Sequence, residues 1–239
     1  MSRRVAVGVG VAVALLVLAG GGVFAYQFFV PQKATSGTST FALSTPTPAT
    51  PASAGALDGR WTVAAGSEVG YRAREKFVEQ SSPNDAVART SSVTGEMTLA
   101  SQSSQVVAGG LTVTADLSKL KSTDANAVRG GFNRDNFVGG NILETGRFRD
   151  AVYAADPVTI PAVIAGGGQQ LATHGRMTIH GTTKEVDIPV VAQLSGERIE
   201  VIGSFSLVMT DYGVPVPDVG FTKVEPQVTL ELHLFFQRG

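Results

Sequence analysis

The sequence predicts an all-β domain of roughly eight antiparallel strands, carried behind an apolar N-terminal segment and a polar linker. Two observations lead there. Between Leu57 and Gly239, apolar and polar residues alternate with period two in one segment after another, the signature of strands with one buried and one wet face. The same region carries almost no helix-period pattern that could cover those apolar faces, so they must meet each other in a barrel or a sandwich.

The chain opens with Arg3 and Arg4, followed by an apolar run from Val5 to Val30 interrupted by Gln27 and a few glycines. About 20 apolar residues cross a bilayer core, so residues 1–30 are read as an N-terminal transmembrane helix. The two arginines keep its start cytoplasmic and leave the rest outside, a single-pass cell-membrane protein with an extracytoplasmic C-terminal domain. The competing reading is a signal peptide, with Val23 and Ala25 as the small residues before the cut and a secreted product. Residues 31–56, PQKATSGTSTFALSTPTPATPASAGA, are Thr, Ser, Pro and Ala with almost no charge; they are read as a disordered, extended linker.

Residues 57–239 form the folded domain. Val93, Gly95, Met97 and Leu99 share one face; Leu111, Val113, Ala115 and Leu117 share another. Ile199, Val201, Gly203, Phe205, Leu207 and Met209 make a long apolar face, as do Val228, Leu230, Leu232, Leu234 and Phe236. Trp61–Phe77, Val152–Pro161, Leu171–His180 and Val186–Leu194 complete the set. The stretch Lys119–Glu144 breaks the rhythm and is read as a short helical insert, capped by Thr123 or Asp124 and holding Ala127, Val128 and Phe132. It is placed as a plug or lid at one end.

The chemistry-bearing residues cluster in HGRMTIHGTTKEVDIPV, residues 174–190. Period two puts Leu171, Thr173, Gly175, Met177 and Ile179 on the inner face. His174, Arg176, Thr178 and His180 then share the outer, polar face, with a turn from Gly181 through Thr183. Six residues of strand span about 20 Å, so His174 and His180 cannot chelate one metal together. His233 also faces outward, and no metal site is expected. With no cysteine, disulfides, thiolate metal sites and a cysteine nucleophile are excluded. A net charge of -1 gives no electrostatic case for nucleic acid. No G-x-S-x-G, H-E-x-x-H or phosphate-loop motif is present, and no enzyme is expected. An enzymatic alternative, acting on an isoprenoid or a quinone, would use His180, Lys184 or Arg134.

Taken as a whole, Gly59 to Phe236 resembles the YceI-like family, exported proteins described as polyisoprenoid-binding. The resemblance rests on DGRWTVAAGSEVGYRARE at the start, RDNF at 134–137 and LETGRFRDAVY at 143–153. It rests further on GRMTIHGTTKEVDIPV at 175–190 and on SFSLVMTDYGVPVP followed by VTLELHLFF. Met177, Thr182, Arg149 and Asn136 depart from the usual leucine, valine, proline and histidine. The resemblance implies an extended eight-stranded, lipocalin-like antiparallel barrel holding a long isoprenoid chain. The expected ligand is an isoprenoid or quinone-like lipid, with no other cofactor. A homodimer is compatible with the sequence.

On that reading the expected inward lining is Tyr71, Met97, Val113, Ile179, Phe205, Met209 and Leu232. Phe77, Phe132 and Phe137 close the mouth. Arg134, Asp135 and Tyr212 are the polar contacts there, and Arg134–Asp135 is read as a charged pair. Small residues on the apolar faces (Gly95, Ala115, Gly175, Gly203) either leave room for a ligand or let strands pack closely. The alternative function is a cell-envelope structural or protein-interaction module whose barrel is filled by its own side chains.

Overall fold

The computed structural model describes residues 41–45, 57–103, 105–161 and 168–239. The expected transmembrane helix over residues 1–30 lies outside them. No helix among the described residues is long and apolar enough to cross a membrane.

The strands are β1 (Gly59–Val63), β2 (Glu68–Phe77), β3 (Asn84–Thr90), β4 (Val93–Gln102), β5 (Gln105–Asp116) and β6 (Lys121–Ser122). After them come β7 (Val128–Arg129), β8 (Phe132–Asn133), helix α1 (Arg134–Phe137), β9 (Asp150–Ala155) and β10 (Val158–Pro161). The last four are long: β11 (Gln169–Ile179), β12 (Thr182–Ser195), β13 (Arg198–Val208) and β14 (Thr222–Arg238). Antiparallel pairing runs β1-β4-β5-β9-β11-β12-β13-β14 and returns to β1, an eight-stranded closed barrel. Closure leaves this ring without an exposed strand edge.

A further arm of the sheet, β2, β3 and β6, branches from β14. β14 pairs with β2 through residues 222–233 and with β1 through 236–238, so β1 and β2 share one edge of the long strand. The register of β14 shifts between Val224 and Val228. Pro226 sits within that irregularity, where its missing N–H costs no ladder bond.

Alternation places the core as the sequence predicted. Ile188, Val190, Phe205 and Val228 are buried inward around one half of the barrel, and Trp61, Leu99, Val106 and Phe236 around the other. Of the small residues, Gly95 and Gly175 serve close packing. A Cβ would lie 2.3 Å from the Thr112 carbonyl oxygen at Gly95 and 2.4 Å from that of Ala154 at Gly175.

Two expectations are corrected. Ala127, Val128 and Phe132 are not helical: Val128–Arg129 and Phe132–Asn133 pair as a tiny hairpin around Gly130 and Gly131, both at positive φ. The helix begins only at Arg134, and its cap is Asn133, whose side chain accepts the Asn136 N–H at 3.0 Å. Neither Thr123 nor Asp124 caps it. Second, His180 leaves the alternation. His180 and Gly181 have φ of 51° and 74° and form the two-residue turn between Ile179 and Thr182. Positive φ at both central positions is what the tight hairpin twist demands. The His180 ring is therefore mostly buried, 4.2 Å from the Phe148 ring, rather than out on the polar face.

Candidate functional site

The barrel encloses a cavity of about 300 Å³. It reaches from Leu57, Leu99 and Val106 near one end to Phe137, Ile142 and Tyr212 at the end carrying α1. The strands set its walls by period two along β2, β11, β12, β13 and β14, and along β5 on either side of its bulge, where Val106 and Ala108 give way to Leu111, Val113 and Ala115. Tyr71, Met97, Val113, Ile179, Phe205, Met209 and Leu232 all line it. So do Phe77, Phe132 and Phe137. Residues far apart in sequence are thus brought to one apolar wall.

The aromatic residues at the α1 end form a cluster. Phe132 lies 5.3 Å from Phe137 and edge-on to Phe221 at 5.4 Å, and Phe77 stacks on Phe221 at 6.4 Å. Such geometries suit the ring quadrupoles. Phe221 completes the group and is 41% exposed. Its place just before β14, outside the alternating segments, left no pattern to mark it.

Arg134 and Asp135 do not pair with each other, which corrects that reading. Arg134 is buried and donates from Nη2 to Glu75 Oε1 at 2.6 Å and from Nη1 to Asp124 Oδ2. It lines the cavity from within rather than standing at an open mouth. Asp135 is oriented elsewhere, accepting the Ser122 N–H at 2.9 Å. Glu75 and Asp124 were not anticipated as a site. The signal for Glu75 was present: Val69, Tyr71, Ala73, Glu75 and Phe77 share one parity, so an inward tyrosine implies an inward glutamate.

The electrostatics follow from this enclosure. Burial pushes Glu75 above the usual carboxylate range, against the opposing pull of Arg134. Burial also acts on Asp124, but the hydrogen bonds from Arg134 and from the Val87 N–H outweigh it and hold the carboxyl below its ordinary value. Burial works against the Arg134 charge as well, and its hydrogen bond to Asp124 and the charge of Glu75 reverse the balance. Burial pushes the Tyr71 hydroxyl up to about 12, although Arg134 pulls the other way. One guanidinium therefore faces two carboxyl groups within the wall: Asp124 is held toward its charged form and Glu75 is pushed toward its neutral one.

Tyr212 lines the cavity and is 2% exposed. Its hydroxyl has no hydrogen-bond partner among the described residues, and burial raises it to about 12. A phenol so placed stays neutral and can donate to a ligand oxygen. The site offers extensive apolar contact, one uncommitted hydroxyl and a buried cluster of Arg134 with Glu75 and Asp124.

The histidines lie apart from this cavity wall. His174 donates from Nδ1 to Asp187 at 2.8 Å on the outer face, which raises its pKa. His233 also faces outward, yet it is not solvated: its Nε2 lies 2.6 Å from Glu200 Oε1. Lys184 is exposed on β12, while Arg134 is inside. His180, Lys184 and Arg134 therefore do not converge on one pocket. Among the described residues no group of three or more His, Asp or Glu could hold a metal ion.

Comparison with known proteins agrees with the geometry. Burkholderia cenocepacia BcnA is similar over 72% of this chain and 96% of its own, at 15% identity and a TM-score of 0.52. A polyisoprenoid-binding domain from Saccharophagus degradans, implicated in plant cell wall breakdown, is similar over 75% of this chain and 98% of its own, at 13% identity and a TM-score of 0.52. At these identities the likeness establishes the fold. No curated protein matches the chain. The YceI-like domain matches residues 61–236, nearly the whole barrel, and the chain belongs to the YceI-like family.

Proposed function

We propose that this protein is a membrane-anchored, outward-facing binding protein that holds a long isoprenoid or similar apolar lipid inside its barrel. The observation that carries this reading is the apolar cavity of about 300 Å³ along the barrel interior. Membership of the YceI-like family, and its structural likeness to a domain described as polyisoprenoid-binding, support the ligand class. The Arg-flanked apolar run over residues 1–30 supports the anchor and the orientation.

The magnitudes are sufficient. Each buried methylene contributes about 0.8 kcal/mol, so about fifteen carbons supply roughly 12 kcal/mol gross. Ordering the chain and losing free motion takes back several kcal/mol. Micromolar or tighter binding is then reachable through apolar contact, with the Tyr212 hydroxyl free to orient one polar atom.

The test is native mass spectrometry of the protein from its own host, followed by solvent extraction and lipid analysis. A stoichiometric mass increment that extracts as an isoprenoid supports the carrier reading. An apo mass that stays apo when isoprenoids are added overturns it and leaves the side-chain-filled interaction module.

A further inference from the structure

The outer wall of the barrel carries a polar cluster that the cavity does not use. Glu200 on β13 is 0% exposed and Gln193 on β12 is 1% exposed, although both point away from the interior. A carboxylate and an amide on the wet face of a sheet are normally solvated. What covers them is Phe41–Ser44, part of the segment that the sequence marked as linker.

The contacts are specific. The Ser44 N–H and hydroxyl both donate to Glu200 Oε1 at 3.0 Å. Gln193 Nε2 donates to the Ser44 carbonyl at 2.9 Å and to Glu200 Oε2 at 2.7 Å. The Phe41 ring lies 5.3 Å from the His233 ring, with the Arg89 guanidinium 4.0 Å over its face. Leu43 closes on Gly168 beside Val191, where an added Cβ would lie 2.9 Å from a side-chain atom of each. Phe41 and Leu43 are the two large apolar residues of the stretch 31–56, and both are in contact. Backbone hydrogen bonds, a cation over an aromatic face and an apolar anchor together make a peptide-docking site.

We propose that this outer face of β3, β12, β13 and β14 is a latch for the chain's own segment Phe41–Thr45, and that latching shortens the tether between the barrel and the N-terminal apolar run. The tether consequence rests on the anchor reading above; the docking does not. With the segment latched, ten residues separate it from the apolar run, a contour of at most about 36 Å. Released, residues 31–56 reach about 90 Å. The contacts fall close to the β12–β13 turn, since Glu200 stands near the start of β13 and Gln193 near the end of β12. That end is the one opposite α1.

The experiment is hydrogen exchange of the full chain in detergent micelles. The Ser44 amide should exchange at least tenfold more slowly than the intrinsic rate of an unstructured peptide. Glu200→Ala should bring it to within about threefold of that rate. A second variant, Phe41→Ala with Leu43→Ala and Ser44→Ala, should release residues 41–45 while β11 and β12 amides keep their protection, which separates unlatching from unfolding. Intrinsic exchange at Ser44 in the unaltered protein overturns the proposal, as does full protection in the triple variant. The readout is the same whether residues 1–30 are retained or removed and whether the cavity holds lipid, so it fails independently of the proposed function.

Discussion

Replacing Arg134 by leucine strands Glu75 and Asp124 inside the wall without their counter-charge. Breaking one side of a buried pair costs about 3–5 kcal/mol. The Arg134→Leu variant is therefore expected to lower the urea unfolding midpoint by that equivalent at constant m. The double variant Arg134→Leu with Glu75→Leu recovers part of the loss, because it removes a stranded charge. A second residue-scale prediction concerns Glu200. Burial acts to raise it, yet the Ser44 N–H, Gln193, His233 and the Ser44 hydroxyl together hold it below the ordinary carboxylate range. A depressed carboxylate stabilises the latched state above its unlatched pKa, and that contribution is lost as pH falls through the latched one. The neighbouring titratable and charged groups are His233 and, across Phe41, Arg89. Protection at Ser44 should persist at neutral pH and disappear on acidification below the ordinary Glu range; protection that survives there contradicts it. These networks were half legible. The inward parity of Glu75 could be read from residues 69–77, whereas the partner of Arg134 could not, since Asp124 approaches from an irregular loop.

Gly181 tests the element scale. Its φ of 74° closes the β11–β12 hairpin, and a Cβ there would lie 2.8 Å from the Phe148 ring. Gly181→Ala combines an unfavourable backbone with a clash and is expected to cost more than about 1 kcal/mol, measured by denaturant unfolding. No change in stability would mean that the turn does not need its left-handed pair. Strands of this kind were legible because the barrel has one dry face: β11, β13 and β14 each keep one parity over many residues, and β5 changes parity only at its bulge beside Gly110. The insert was not, because its helical run is one short α turn, Arg134–Phe137, followed by a π turn, Val138–Ile142, and carries no 3.6-residue period to detect. Its two glycines make a miniature hairpin in place of the helix expected there. His180 illustrates the same limit, since a positive φ at one residue turned an expected surface histidine into a buried ring. The latch segment follows a third pattern. A linker composition says that no core can form, yet five residues with one phenylalanine and one leucine can still borrow a surface built by the strands.

At the scale of the whole molecule, the open question is whether the barrel interior is a binding site or a core that happens to be loosely filled. Closure and strand parity bring Tyr71, Met97, Val113, Ile179, Phe205 and Leu232 to one wall, which is as far as alternation can be read. Cavity volume is set by how side chains from different strands meet, and no local pattern encodes it. Val113 separates the two readings. It lines the cavity from β5 and stands opposite Gly95 on one side and Tyr153 on the other. In a closely packed core, Val113→Phe forces neighbours off their rotamers and costs about 1–3 kcal/mol. In a cavity kept open for a ligand, the larger ring occupies free volume and regains dispersion contacts. The unfolding free energy of the ligand-free protein then stays within about 0.5 kcal/mol of the parent, the range of a substitution that strains nothing. The same ring displaces lipid carbons, so binding of a probe such as geranylgeraniol should weaken at least tenfold, about 1.4 kcal/mol. Both measurements are needed, because each reading predicts a different pair of outcomes. Unchanged stability with weakened binding identifies a ligand cavity. Lost stability with no effect on binding would place the lipid elsewhere and return the barrel to a structural role.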